Sequence, residues 1–82
     1  MIHLTLYTRS GCHLCEQMRD VIGHAARRVP LRLDEIDITK DAALTREYGV
    51  EIPVLLIEGR KAAKYRISEA DLLDKLAKTV KS

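Results

Sequence analysis

Thr8-Arg9-Ser10-Gly11-Cys12-His13-Leu14-Cys15-Glu16-Gln17-Met18 carries both cysteines of the chain, spaced C-x-x-C, between an alternating apolar run and a helical one. Two thiols so placed form a reversible disulfide, supply half of a metal site, or sit idle in the core. Their surroundings rank the three. Upstream, Ile2-His3-Leu4-Thr5-Leu6-Tyr7 alternates apolar and polar residues and predicts a strand, which Ser10-Gly11 breaks. Downstream, Leu14, Met18, Val21, Ile22 and Ala25 recur at helical spacing and predict a helix from Cys12 or His13 to Arg27, stopped by Pro30. The pair therefore falls at the mouth of a helix that a strand delivers.

That place favours redox chemistry. Positions i and i+3 share a helical face, with Cβ atoms ~5–6 Å apart. A small adjustment in the first turn brings them to the ~3.8 Å of a disulfide. Cys12 faces unsatisfied backbone N–H groups and the positive end of the helix dipole. Both favour thiolate and draw its pKa down from the free value of ~8.5. Arg9 adds positive charge nearby, and Gly11 leaves room for an incoming disulfide. Cys15, one turn further in, is expected to stay a thiol until a mixed disulfide forms on Cys12, and then to attack it. Cys12 is thus the candidate nucleophile and Cys15 the resolving thiol. His13 and Leu14 fill the positions between them; the imidazole either tunes the thiolate or is an exposed residue of the helix start.

The rest of the chain completes an α/β pattern. Leu31-Arg32-Leu33-Asp34-Glu35-Ile36-Asp37-Ile38 predicts a second strand, although its apolar residues change parity midway. Thr39 or Asp41 can cap a short helix ending at Tyr48, with Gly49 in the left-handed position after it. Val54-Leu55-Leu56-Ile57 follows Ile52-Pro53 and predicts a strand buried on both faces. Glu58-Gly59-Arg60 turns into an edge strand, Lys61–Tyr65. Ser68-Glu69-Ala70-Asp71 is a capping signature for a last helix with Leu72, Leu73, Leu76 and Val80 on one stripe. The order β-α-β-α-β-β-α implies a parallel pair at the front, an antiparallel hairpin at the rear and one mixed four-stranded sheet with helices on both faces. Residues 1–82 are expected to form a single domain.

Composition narrows the function. Hydrophobic residues make up 46% of the 82, but Trp and Phe are absent, so aliphatic side chains must supply most of the core. The net charge of +2, with both signs interspersed, argues against a nucleic-acid partner. No apolar run approaches the roughly 18 residues of a membrane span, and no secretory leader is visible. A cytoplasmic, reducing compartment is the expectation, and there C-x-x-C points to redox catalysis or metal. Zinc usually takes four protein ligands. Here His3 lies at the far end of the strand, His24 on the opposite side of the helix, and His13 too close in sequence to chelate well.

Together these residues resemble the glutaredoxins and their small relatives in the thioredoxin-like superfamily. The likeness is carried by Leu6-Tyr7-Thr8-Arg9-Ser10-Gly11-Cys12-His13-Leu14-Cys15 and by Ile52-Pro53, and element order extends it over essentially the whole chain. The resemblance implies a thioredoxin-like fold in which Pro53 is cis and packs beside the cysteines. It also implies that Ile52 offers its backbone N–H and C=O to an extended substrate, alongside Arg9, His13 and Leu14. The implied activity is dithiol–disulfide exchange on protein disulfides or glutathione mixed disulfides. No bound cofactor is implied, and glutathione or a thioredoxin reductase would be the electron donor. Departures stand beside the likeness. His13 and Leu14 replace the Pro and Tyr of glutaredoxins, and Arg66–Asp71 lacks the Gly-Gly-x-Asp turn that holds glutathione. The Trp that precedes the first cysteine of thioredoxin is Gly11 here. Two other readings remain: a metal or iron–sulfur carrier that dimerises through Cys12, and a redox-inactive interaction module.

Overall fold

Strict alternation along β1 (Ile2–Thr8) sorts its side chains: Ile2, Leu4, Leu6 and Thr8 are buried, while His3, Thr5 and Tyr7 are half-buried on the other face. The structure, a computed structural model, describes residues 1–81, with side chains described through Thr79. β1 pairs in parallel with β2 (Leu31–Asp37) and antiparallel with β3 (Val54–Ile57). β4 (Arg60–Lys64) adds antiparallel to β3, giving the sheet order β2-β1-β3-β4. The mixed four-stranded sheet is the one the sequence predicts.

On the Leu4–Leu6 face lie α1 (His13–Ala25) and α3 (Glu69–Lys81). Their apolar stripes, with Met18, Ile22, Leu72 and Leu76, close over Leu4, Leu6 and Leu55 in an aliphatic core. Full burial of such a side chain contributes about 1.5–3 kcal/mol. The short α2 (Ala42–Tyr48) sits at the Tyr7 end of the opposite face, where the rings of Tyr7 and Tyr48 stack with centroids 4.7 Å apart.

Several boundaries differ from the sequence reading. α1 ends at Ala25 rather than Arg27: the Arg27 and Arg28 N–H groups bond three residues back, to His24 and Ala25, so the last turn tightens before Pro30. β2 stops at Asp37, and Ile38 opens a 3₁₀ turn, Ile38–Lys40, where it is buried. The parity change at Ile36 thus marks a strand about to leave the sheet. Asp41, not Thr39, caps α2: its Oδ1 accepts from the Ala43 and Leu44 N–H groups at 2.8 and 3.2 Å. Gly49 is right-handed (φ −54°, ψ −30°), contrary to expectation. Its glycine has another reason, because a Cβ there would stand 2.5 Å from the Thr45 carbonyl oxygen. In β3, Val54, Leu55 and Ile57 are buried but Leu56 only partly. β4 runs one residue earlier than predicted, leaving Tyr65 outside it. Ser68 does cap α3, its Oγ accepting the Asp71 N–H at 3.1 Å. Leu72 and Leu76 are buried as predicted, while the Val80 side chain lies outside those described.

Candidate active site

The site begins where β1 runs out. Thr8 is the last residue of the strand, and Gly11, at φ +75°, turns the chain into α1 through a conformation that L side chains rarely adopt. Apart from its own chain neighbours, no atom lies within 4 Å of where a Gly11 Cβ would be, so the approach in front of the helix stays open. Arg9 is exposed on this turn.

Cys12 is the N-cap of α1. Its backbone is extended (φ −94°, ψ 108°), its carbonyl accepts the Glu16 N–H, and its Sγ accepts the Cys15 N–H at 3.1 Å. The cap normally supplied by a Ser or Asp oxygen is supplied here by sulfur. Negative charge on that sulfur would sit against an aligned N–H at the positive end of a 13-residue helix. Cys12 and Cys15 are joined as a disulfide with their Cα atoms 5.2 Å apart. The two sulfurs are not equivalent. Cys12 is partly exposed, whereas Cys15 is 1% exposed and packs with Ile38 and Ile52.

The other predicted site residues divide. His13 projects into solvent, its side chain 93% exposed, with Nδ1 3.7 Å from a Glu16 carboxylate oxygen. Leu14 is half-buried beside it. The Ile52–Pro53 peptide bond is cis, Pro53 is fully buried, and the Ile52 side chain packs against Cys15. Ile52 thus joins the cysteine pair to the start of β3. Arg9, His13 and Leu14 lie around the helix start, and nothing in their contacts fixes a role.

Sequence reasoning missed two aromatic contributions. Tyr7 and Tyr48 border the cluster around Cys15 and Cys12, and the Lys61 Nζ lies 5.6 Å from the centre of the Tyr48 ring. Burial, followed by the nearby Glu47 charge, pushes the Tyr48 phenol pKa up. Tyr65, just after β4, donates its hydroxyl to the Val50 carbonyl at 3.0 Å and its N–H to the Pro53 carbonyl at 2.9 Å. Between them, Glu51 meets Lys61 and Lys64 at 3.2 and 3.4 Å, and the Lys61 bond holds its carboxyl pKa below the ordinary value. These contacts join residues far apart in sequence, so no local pattern announces them. Among the described residues no three His, Cys, Asp or Glu side chains converge as metal ligands would.

Residues 3–77 match the family model described as the glutaredoxin-like domain (DUF836). The chain belongs to this family. It is 34% identical to protein XcR50 from X. campestris, with a TM-score of 0.75, over 92% of this chain and 96% of that one. It is 29% identical to protein Ne2328 from Nitrosomonas europaea, with a TM-score of 0.78, over 90% and 89% of the two chains. A chloroplastic thioredoxin z, only 10% identical, superposes with a TM-score of 0.81 over all of this chain and 80% of its own. At that identity the likeness speaks for the fold alone, and the fold is thioredoxin-like. A glutaredoxin-like domain with its C-x-x-C pair at the start of α1 carries the general features of a redox protein. No helix of the described chain is long and apolar enough to cross a membrane.

Proposed function

We propose that this glutaredoxin-like domain is a dithiol–disulfide oxidoreductase acting on protein disulfides or glutathione mixed disulfides. The observation that carries the reading is the asymmetry of the pair: Cys12 caps the helix, partly exposed, while Cys15 lies buried one turn below.

In the reduced protein the Cys12 thiolate attacks one sulfur of the substrate disulfide. The substrate S–S bond breaks, its other sulfur leaves as a thiolate that takes a proton, and a mixed disulfide forms on Cys12. Cys15 then loses its proton and attacks the Cys12 sulfur, expelling the second substrate thiol. Two electrons have moved: the substrate disulfide becomes two thiols and the Cys12–Cys15 pair becomes the disulfide seen here. Substrate approaches past Gly11. The Ile52–Pro53 backbone, with Arg9, His13 and Leu14, lines its path, and an extended segment adds there as a strand.

A cytoplasmic thiol pool suits this cycle, with either glutathione or a thioredoxin reductase resetting the pair. The start of α3, where Ser68 stands in place of a glycine pair, offers a weaker glutathione platform than glutaredoxins have. That gap favours a thioredoxin reductase as the donor. Turnover with insulin or a glutathione mixed disulfide, driven separately by glutathione with its reductase and by thioredoxin reductase, assigns the donor. Cys12→Ser is expected to abolish turnover, and Cys15→Ser to leave only one-thiol deglutathionylation. Full activity in Cys12→Ser would end the proposal.

A further inference from the structure

The segment that lines the proposed substrate path, Val50–Pro53, is hydrogen-bonded at both ends by one residue outside it. Tyr65 reaches both ends: its hydroxyl bonds the Val50 carbonyl at 3.0 Å and its backbone N–H bonds the Pro53 carbonyl at 2.9 Å. To do so it occupies a left-handed conformation, φ +68°, which is uncommon for a bulky L-residue and strained. A glycine would meet that backbone requirement without strain. The bulk of the side chain is not spent on the core, for Tyr65 remains 42% exposed, with the Lys64 Nζ 5.6 Å from its ring centre. It also lines a cavity of about 280 Å³ shared with Met18 and Val21 of α1 and with Ile67. Val50 itself is 87% exposed, so burial anchors the Ile52–Pro53 end of the segment but contributes little at the Val50 end.

We infer that Tyr65 is a positioning residue: it fixes the Val50–Pro53 backbone in the shape that receives an extended polypeptide, and so sets affinity for protein substrates rather than the reactivity of Cys12. The inference rests on the oxidoreductase reading. The phenol acts only through the carbonyl it holds, with the Lys61 and Lys64 bridges to Glu51 restraining the middle of the same segment. A small disulfide, which needs no backbone pairing, should be indifferent to it.

Single-turnover oxidation of the pre-reduced protein, quenched in acid and alkylated, tests this without any reductant. Wild type, Tyr65→Phe and Tyr65→Gly are each offered insulin and, separately, hydroxyethyl disulfide. In Tyr65→Phe, loss of one hydrogen bond is expected to raise the half-saturating insulin concentration about 3- to 10-fold. The maximal rate, the Cys12 thiolate pKa and the rate with the small disulfide should stay unchanged. Tyr65→Gly, relieved of backbone strain, should be at least as impaired towards insulin. Equal losses on both substrates, or a Tyr65→Gly protein that matches wild type on insulin, would overturn the inference. Amide exchange adds a readout free of catalysis: the Glu51 N–H, bonded to the Tyr48 carbonyl at 2.9 Å, should exchange faster in Tyr65→Phe at unchanged global stability. A wild-type protein that oxidises with neither substrate would remove the oxidoreductase reading, while the exchange result still decides whether Tyr65 holds the segment.

Discussion

Leu4, Leu6, Ile22, Leu72 and Leu76 belong to the larger apolar cluster, whereas the smaller one, at the C-terminal end of β1, holds Cys15, Ile38 and Ile52 with Tyr7, Cys12, Leu44 and Tyr48 around them. The larger is aliphatic and closed on one face of the sheet by two 13-residue helices. The smaller is mixed, covered by a seven-residue helix with no fully buried residue, and open where Cys12 meets solvent. One cluster sets the architecture. The other holds two sulfurs at different depths, which is what a nucleophile and a resolving thiol require. Because the two share β1 and α1 but few side chains, stability and reactivity should separate on mutation.

Truncation in the larger cluster should have the greatest effect. Leu6→Ala removes a fully buried side chain and is expected to cost about 2–5 kcal/mol in urea unfolding. In an 82-residue domain that is a large share of total stability. The surviving folded fraction should still show wild-type Cys12 reactivity; altered reactivity at full folding would mean the clusters are not separable. Tyr48→Ala, in the smaller cluster, should cost about 0.5–1.5 kcal/mol through the lost stack on Tyr7, and it should also change the rate at which iodoacetamide alkylates Cys12. A stability loss without a change in alkylation would assign Tyr48 to the scaffold.

A smaller effect is expected from pH. Hydrogen bonding to His3 depresses the Asp34 carboxyl pKa, as that to Lys61 depresses Glu51's. Between a depressed folded pKa and the unfolded value of about 4, the unfolded chain binds more protons. The stabilisation is therefore complete above the ordinary carboxylate value and is lost as pH falls from there through the depressed folded pKa. Thermal melting from pH 6 down to pH 3 should show a shallower decline for Asp34→Asn and Glu51→Gln than for wild type. Identical slopes would mean that these pairs contribute nothing.

What could be read from the sequence follows the same division. Periodicity exposed the larger cluster, since Leu4 and Leu6 alternate and Met18, Ile22, Leu72 and Leu76 repeat at helical spacing; such patterns are local. The cysteine pair at a helix start was legible for the same reason, with strand, Gly11 and helix contiguous. The Tyr7–Tyr48 stack and the reach of Tyr65 to Val50 were not, because each depends on how β1, α2 and β4 come together. Gly49 departs from its local signal for a related reason: glycine after a helix usually signals a left-handed turn, but here it relieves a close approach to the Thr45 carbonyl. Likewise Ile36 and Ile38 gave one ambiguous strand pattern, which the structure resolves into a strand end and a 3₁₀ turn.

The helix start is expected to hold Cys12 as a thiolate near neutral pH while Cys15 stays protonated. Thiolate absorbance at 240 nm, followed against pH in the reduced protein and in Cys15→Ser, measures it directly. The account predicts one thiol, lost in Cys12→Ser, titrating below the ordinary cysteine value of ~8.5 by a unit or more. A Cys12 that titrates at or above that value would contradict it.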